Sequence, residues 1–213
     1  MKCTLCSEEA KLFYSGKNGE YFACPQCKGI FLSPNNFPAP AEEKERYEKH
    51  NNDIEDAGYQ NSVAPIVNEV LRSFSPQDRG LDFGCGRDSV IKHLLQKEGF
   101  TIDLYDPLFK NDQAVLFNKY DFISCNEVME HFHHPDKEFK LLSPLLKPGG
   151  KLYCTTDLYK DDTDFEHWYY KNDKTHVFFY HTDTILYIKE NLGFDDYRIE
   201  NRLITFNKSK FSV

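Results

Sequence analysis

Four cysteines near the N-terminus stand in two C-x-x-C pairs, Cys3 with Cys6 and Cys24 with Cys27, and 17 residues separate the pairs. Zinc favours a tetrahedron of thiolates, and a hairpin that joins two such pairs supplies one. A redox C-x-x-C motif instead has one reactive pair at the start of a helix beside a βαβ unit. The spacing therefore predicts a structural zinc site in which cysteine occupies every position and none is left open for catalysis.

The elements that would hold this site are short β-strands. Residues 11–14 and 20–23 are rich in apolar and aromatic side chains, and residues 15–19 form a turn between them. A segment of about 30 residues buries little apolar surface, so we expect bound metal to stabilise it directly. We assign residues 1–33 to a small N-terminal β zinc ribbon.

A glycine turn between a strand and a helix is the second place where we expect chemistry. Asp82 precedes Gly84 and Gly86, whose missing Cβ atoms let a ligand approach the backbone closely. The dinucleotide fingerprint G-x-G-x-x-G requires a third glycine three residues later, but Ser89 stands there. The turn therefore implies no pyrophosphate site and favours a ligand without phosphate groups.

Acidic and polar residues end the next two predicted strands. Asp106 lies 20 residues after Gly86, where an acid in a nucleotide-binding α/β fold accepts hydrogen bonds from ribose hydroxyls. Asn126 and Glu127 stand at the carboxyl end of the strand predicted at residues 120–126. Ligands of open α/β sheets bind at the carboxyl ends of the strands, so we expect these side chains to line one site.

Two histidines are candidates for a general base. His131 follows the third predicted strand of the core, and His176 lies in an aromatic-rich segment inserted after the strand predicted at residues 151–156. Imidazole titrates near neutral pH, so either ring could take a proton from a hydroxyl, an amine or an acidic carbon. A divalent cation held by Glu127, Glu130 and His131 is an alternative interpretation. A hydrogen-bonded surface role is the simplest interpretation of each histidine.

Helices alternate with strands through the rest of the chain, which predicts an α/β fold. We predict helices at residues 62–74, 90–98, 135–146 and 182–191, and terminal strands at 197–199 and 203–207. The three remaining cysteines stand singly in strand-like runs and are expected to be small buried side chains: Cys85, Cys125 and Cys154. Aromatic runs at residues 165–170 and 178–180 could stack on a planar substrate or pack in the interior.

The formal net charge of the chain is −8, and it lies after residue 50 because residues 1–50 hold equal numbers of basic and acidic residues. An acidic main region disfavours extended contact with nucleic acid. We expect no membrane-spanning helix, since no apolar run approaches 18 residues. The start of the chain has no apolar leader, which favours the cytoplasm.

In order and spacing, residues 81–86, 106–107, 120–131 and 146–150 resemble the class I S-adenosylmethionine-dependent methyltransferases. The stretch 127–131 and the Pro-Gly-Gly turn are similar to the ubiquinone-biosynthesis O-methyltransferase branch, within methyltransferase domain 23. Residues 167–180, with linker residues that include Arg46, Tyr47 and His50, resemble a bacterial subgroup that also carries paired C-x-x-C motifs.

The resemblance implies a Rossmann-like class I sheet with helices on both faces, and S-adenosylmethionine as the cofactor. It places the following residues around that cofactor: Asp82, Gly84 and Gly86 at the methionine part, Asp106 at the ribose, Asn126 and Glu127 near the sulfonium, and Tyr47 as a cap. Residues 34–60 then form a linker and cofactor-capping segment, and residues 61–213 form the methyltransferase domain. Residues 108–119 are too short and irregular for a further strand, so no adenine contact is named.

The function predicted from these features is S-adenosylmethionine-dependent methyl transfer to a small-molecule acceptor. One alternative is an RNA base methyltransferase that uses the ribbon to bind RNA. The near-neutral charge of residues 1–30, which carry four lysines against three glutamates, disfavours this alternative. Another is a non-catalytic protein that binds the cofactor or docks a partner protein through the ribbon. The acceptor atom, oxygen, nitrogen or carbon, stays open.

Overall fold

The computed structural model describes residues 1–49 and 53–210, so His50 of the predicted linker lies outside the described residues. The strands are β1 (Lys11–Gly16), β2 (Gly19–Ala23), β3 (Ile30–Leu32), β4 (Arg79–Phe83), β5 (Thr101–Tyr105), β6 (Tyr120–Asn126), β7 (Leu146–Thr155), β8 (Phe178–Phe179), β9 (Asp196–Glu200) and β10 (Leu203–Asn207). The α-helices are α1 (Pro40–Glu48), α2 (Ala57–Ser73), α3 (Val90–Lys97), α4 (Pro135–Leu145) and α5 (Thr182–Asn191).

The larger sheet has six strands in the order β5-β4-β6-β7-β10-β9. The first four strands run parallel, and β10 and β9 add an antiparallel edge. On one face, apolar residues of α2 and α3 such as Ile66 and Leu95 pack against the sheet, and on the other face Phe139 of α4 and Ile185 of α5 do so. The predicted Rossmann-like sheet with helices on both faces is confirmed.

Local hydrogen bonds set the starts of two helices, and one of these starts differs from the prediction. Helix α2 begins at Ala57, five residues earlier than predicted, because the Asp56 side chain accepts a hydrogen bond from the Tyr59 amide and caps the helix. Helix α5 has the predicted bounds, and the ring of His181, directly before it, accepts a hydrogen bond from the Asp183 amide and caps it.

The smaller sheet carries the ribbon and has four strands in the order β1-β2-β3-β8. Only β1 and β2 were predicted. Strand β3 pairs antiparallel with β8 through Ile30 opposite Phe179 and Phe31 opposite Phe178. Because β8 lies in the segment that follows β7, the ribbon sheet takes its fourth strand from the opposite half of the chain.

The aromatic segment after β7 packs in the interior. Phe165, Tyr170, Phe178 and Phe179 are buried, whereas Tyr169 is 64% exposed. These rings therefore form a wall between the ribbon and the large sheet. The three single cysteines, Cys85, Cys125 and Cys154, are buried as predicted. Among the described residues, no helix has both the length and the apolar character that a membrane crossing requires.

Candidate functional site

A cavity of about 940 Å³ lies where strands β4, β5 and β6 end. It brings together the residues predicted to bind a cofactor or to act as a base, with one exception, Asp82. The predicted residues in its lining are Tyr47, Gly84, Gly86, Asp106, Asn126, Glu127, His131 and His176. Its volume lies toward the upper end of the roughly 300–1,000 Å³ typical of ligand sites.

The glycine turn is held in a conformation that requires glycine. Gly84 has φ +76° and Gly86 has φ +64°, in the left-handed region that residues with a Cβ rarely enter. A Cβ on Gly84 would also lie 2.5 Å from Cγ2 of Val128. The amides of Gly84 and Cys85 both donate to the carbonyl oxygen of Tyr105, which fixes the turn to the end of β5.

Asp82 lies beneath this turn. Its two carboxylate oxygens accept hydrogen bonds of 2.6 Å from the hydroxyls of Ser89 and Ser124. Ser89 in turn accepts from the amide of Lys92 and caps helix α3. Burial raises the pKa of Asp82 to about 6. Its carboxylate thus joins β4, β6 and α3, and its predicted role toward the methionine part of a cofactor stays a prediction.

Asp106 lies in the cavity lining at the end of β5 and is 9% exposed. Its Oδ2 accepts from the amide of Gly86 at 3.0 Å, and its Oδ1 accepts from the amides of Leu108 and Phe109 at 2.9 and 3.1 Å. The carboxylate thereby joins the glycine turn to the segment that follows β5. It is fixed in place at the position where the sequence predicts ribose binding.

Asn126 and Glu127 are positioned by the end of strand β7. The hydroxyl of Thr155 donates to Oδ1 of Asn126 at 2.8 Å and accepts from the amide of Glu127 at 3.0 Å. Glu127 has φ +50°, a conformation that costs on the order of 1 kcal/mol for a residue with a side chain. Its carboxylate accepts from Arg202 at 2.6 Å. Thr155 therefore holds the backbone of Glu127, and Arg202 holds its carboxylate, in the cavity lining.

The two candidate bases have a defined tautomer. Nδ1 of His131 lies 2.8 Å from the carbonyl oxygen of Thr175, and Nδ1 of His176 lies 2.7 Å from that of Tyr170. A carbonyl oxygen can only accept, so each Nδ1 carries a proton and Nε2 carries the lone pair of the neutral ring. The ring centroids are 4.8 Å apart. The structure thus brings together two imidazoles that are far apart in sequence, each of which has its proton-accepting nitrogen at Nε2 when the ring is neutral.

Glu130 is a residue that the sequence named only as an alternative metal ligand. It is fully buried, and the hydroxyl of Tyr170 donates to its Oε1 at 2.6 Å. Its Oε2 has no hydrogen-bond partner among residues 1–49 and 53–210. The predicted metal set included Glu127, whereas the structure groups Glu130 with His131 and His176, whose possible ligand atoms lie within 4.8 Å of one another. No local pattern reveals this, because Tyr170 and His176 come from the inserted segment.

Glu130 is expected to make stability depend on pH. Burial, followed by the charge of Glu127, raises the pKa of Glu130 from 4.5 to about 8. Between these values the folded chain holds a proton that the unfolded chain loses. The free energy of unfolding should therefore fall as pH rises from 4.5 to about 8, by up to about 1.4 kcal/mol per pH unit.

The variant Glu130→Gln keeps an oxygen to accept from Tyr170 and removes the titration. Denaturant unfolding at several pH values should show a flatter pH dependence for it than for the parent. Glu190→Gln, on the exposed surface of α5, is the control and should keep the parent slope. Equal slopes for parent and Glu130→Gln would contradict this expectation.

Helix α1 forms the outer wall of the cavity with the predicted cap, Tyr47. The Tyr47 ring lies edge-on to His131 with 5.3 Å between centroids, and burial raises the pKa of its hydroxyl. Tyr47 is half-buried, and no residue of helix α1 is fully buried. Two ion pairs join it to its surroundings, Arg46 to Asp173 at 2.7 Å and Glu48 to Arg87 at 2.8 Å, and a hydrogen bond of 2.9 Å links Glu43 to Nε2 of His133.

The four N-terminal cysteines form a second candidate site. Their sulfur atoms all lie within 4.8 Å of one another, with 3.6 Å between Cys3 and Cys27 and 3.3 Å between Cys6 and Cys24. A tetrahedral zinc with Zn–S bonds of about 2.3 Å needs sulfurs about 3.8 Å apart. Each pair lies in the same kind of turn, closed by a left-handed residue, Ser7 or Lys28. The donor set and its spacing therefore fit zinc.

A family match and several relatives agree with this geometry. The methyltransferase domain family matches residues 56–199. A ubiquinone biosynthesis O-methyltransferase from Stutzerimonas stutzeri is 28% identical over 91 residues, which cover 43% of this chain and 39% of that protein. A second such protein, from Citrobacter koseri, is 29% identical over 77 residues, 36% of this chain and 32% of that protein. The chain thus spans less than half the length of the curated relatives it matches.

Solved structures of low sequence identity share the fold. An O-methyltransferase family protein from Burkholderia thailandensis aligns with a TM-score of 0.57 and 15% identity, over 80% of this chain and 64% of that chain. The 1,6-didemethyltoxoflavin-N1-methyltransferase of the same species aligns with a TM-score of 0.57 and 13% identity, over 94% of this chain and all of that one. Since the family match covers more than half of its length, the chain belongs to the methyltransferase domain family of S-adenosylmethionine-dependent enzymes.

Proposed function

We propose that this protein binds S-adenosylmethionine at the glycine turn and Asp106 and transfers its methyl group to a small molecule that lies against His131 and His176. The observation that carries this proposal is the single cavity that holds both sets of residues. Its volume of about 940 Å³ leaves room for an acceptor beside a cofactor. Tyr47, on the capping segment at residues 34–60, closes the same cavity from outside.

The chemistry asked of the chain is positioning and proton removal. When bound, S-adenosylmethionine supplies a methyl group activated by a sulfonium, so placing the acceptor in line with it provides much of the rate. The cavity would hold the acceptor in line with the bond between sulfur and the methyl group, whose electrons would go to sulfur as the acceptor takes the methyl group. A hydroxyl, amine or acidic carbon must also release a proton, and Nε2 of His131 or His176 is the group that we propose accepts it.

Two solved structures of similar fold support a small-molecule acceptor. The Burkholderia thailandensis enzyme was solved with bound 1,6-didemethyltoxoflavin and S-adenosylhomocysteine. A phosphoethanolamine N-methyltransferase from Haemonchus contortus, with a TM-score of 0.55 and 19% identity over 74% of this chain and 42% of that one, was solved with phosphomonomethylethanolamine and S-adenosylhomocysteine. The relatives include both O- and N-methyltransferases, so we leave the acceptor atom open.

Calorimetric titration with S-adenosylmethionine tests the cofactor site. The variant Asp106→Ala removes a charged hydrogen-bond acceptor, so we expect Kd to rise about 10- to 100-fold. Asp103→Ala is the matched control, because Asp103 lies on the same strand and pairs with Arg79 outside the cavity. The site assignment fails if Asp106→Ala binds with the affinity of the parent.

The acceptor class is tested by a methyl-transfer screen with phenols, amines, carbon acids and short RNAs. Turnover of a small molecule would support the proposal, and turnover of RNA alone would replace it with the RNA alternative. Binding of S-adenosylmethionine without turnover of any acceptor would favour a non-catalytic protein. The ribbon pairs with β8 of its own chain, which supports a small-molecule acceptor over RNA held by the ribbon.

A further inference from the structure

The ribbon is built into the wall of the candidate site. Strand β3 pairs with β8. Directly beside the paired residues, the amide of Leu32 donates to the carbonyl oxygen of Val177 at 2.9 Å. The short turn between β2 and β3 contains Cys24 and Cys27, and the amide of Cys24 donates to the carbonyl oxygen of Gly29 at 2.9 Å. Two of the four cysteines therefore lie in the turn that positions β3.

The segment that β3 holds is the one that positions both candidate bases. The amide of Val177 donates to the carbonyl oxygen of Glu130 at 2.9 Å, so Val177 bridges the ribbon and the turn before His131. The carbonyl oxygen of Thr175 accepts from Nδ1 of His131. His176 stands between Thr175 and Val177 in the sequence. One short segment thus connects the ribbon to both imidazoles.

Side-chain packing adds to these backbone bonds. Tyr21, Ile30 and Leu32 of the ribbon share one buried cluster with Phe165 and Phe179 of the inserted segment. The side-chain amide of Asn18, in the turn between β1 and β2, donates to the carbonyl oxygen of Lys171 at 3.0 Å. The ribbon therefore contacts the inserted segment at its beginning, middle and end.

We infer that the ribbon is a positioning element for the acceptor side of the cavity, with a metal at the four cysteines holding β3 and β3 holding residues 175–179. This rests on the proposed function in that it assumes His131 and His176 face an acceptor. The glycine turn and Asp106 belong to the other sheet and have their own hydrogen bonds. Loss of the metal should thus loosen the acceptor wall and leave cofactor affinity within about twofold of the parent.

The single tryptophan of the chain reports on this wall. The ring of Trp168 lies 5.3 Å from that of Phe179 and 5.4 Å from that of Tyr170. In the full-length protein, zinc removal with a chelator, or the variant Cys27→Ser, should shift Trp168 emission to longer wavelength. Hydrogen exchange should rise in residues 169–179, while titration with S-adenosylmethionine gives a nearly unchanged Kd. Cys125→Ala, a buried cysteine of the large sheet, is the control and should keep both zinc and emission.

A variant that keeps the metal makes the test independent of ribbon folding. Asn18→Ala removes one bond between the ribbon and the inserted segment, so exchange in residues 169–179 should rise while zinc content stays at one equivalent. Unchanged emission and exchange after zinc removal would overturn the inference. A large rise in Kd for S-adenosylmethionine after zinc removal would also overturn it, because the ribbon would then support the whole fold. If the wall loosens as expected but no acceptor is methylated under any condition, the coupling between the ribbon and residues 169–179 stands and the proposed function fails.

Discussion

The double variant His131→Ala, His176→Ala is expected to lower kcat for a hydroxyl or amine acceptor by about 10²- to 10⁴-fold, the usual contribution of a positioned general base. Both rings line the cavity and both carry the Nδ1 proton on a backbone carbonyl, which leaves the lone pair on Nε2. Neither residue is proposed to touch the cofactor. The measurement is transfer of a labelled methyl group at saturating S-adenosylmethionine, with Kd for the cofactor determined in parallel.

The single variants identify which imidazole accepts the proton. The variant that lacks the base should lose the acidic limb of the pH profile of kcat/KM, whereas the other should keep it. His167→Ala is the matched control, because His167 lies in the same inserted segment, is exposed and pairs with Asp164 away from the cavity. Turnover by the double variant at the rate of the parent would remove both histidines from the mechanism.

The second large effect is expected from the ribbon cysteines. We propose that the parent binds one zinc ion per chain at Cys3, Cys6, Cys24 and Cys27, and that Cys27→Ser loses it. Structural zinc contributes about 10–16 kcal/mol to the folding of isolated zinc-finger peptides, so its loss should unfold the ribbon. Metal analysis and hydrogen exchange over residues 1–33 measure this. Freshly purified parent protein that contains no zinc would contradict the proposal.

The features that were predicted from the sequence are those determined by neighbouring residues. Strand β6 has the predicted bounds, because the residue types within it and the polar residue at its end mark a strand locally. The positive φ angles at Gly84 and Gly86 agree with the predicted glycine turn, which also follows from neighbouring residues. The spacing of the cysteine pairs, likewise a local feature, predicted a cluster that the structure forms.

Features that depend on distant residues were missed. Strand β8 is two residues long and becomes a strand only because β3, near the other end of the chain, pairs with it. The burial of Glu130 depends on Tyr170, 40 residues later. Asp82 turns toward Ser89 and Ser124, and no pattern within β4 tells which way its carboxylate points. Side-chain environment in these cases follows from tertiary contacts that no short window of sequence contains.

The pairing of β3 with β8 also has a consequence for synthesis of the chain on the ribosome. Phe31 must wait for Phe178, 147 positions later, before its strand is complete. At about 5–20 residues per second, the nascent ribbon exposes an unpaired strand edge for roughly 7–30 s. An unpaired edge is a template for association with other chains, and the three-residue length of β3 limits how much of a template it offers.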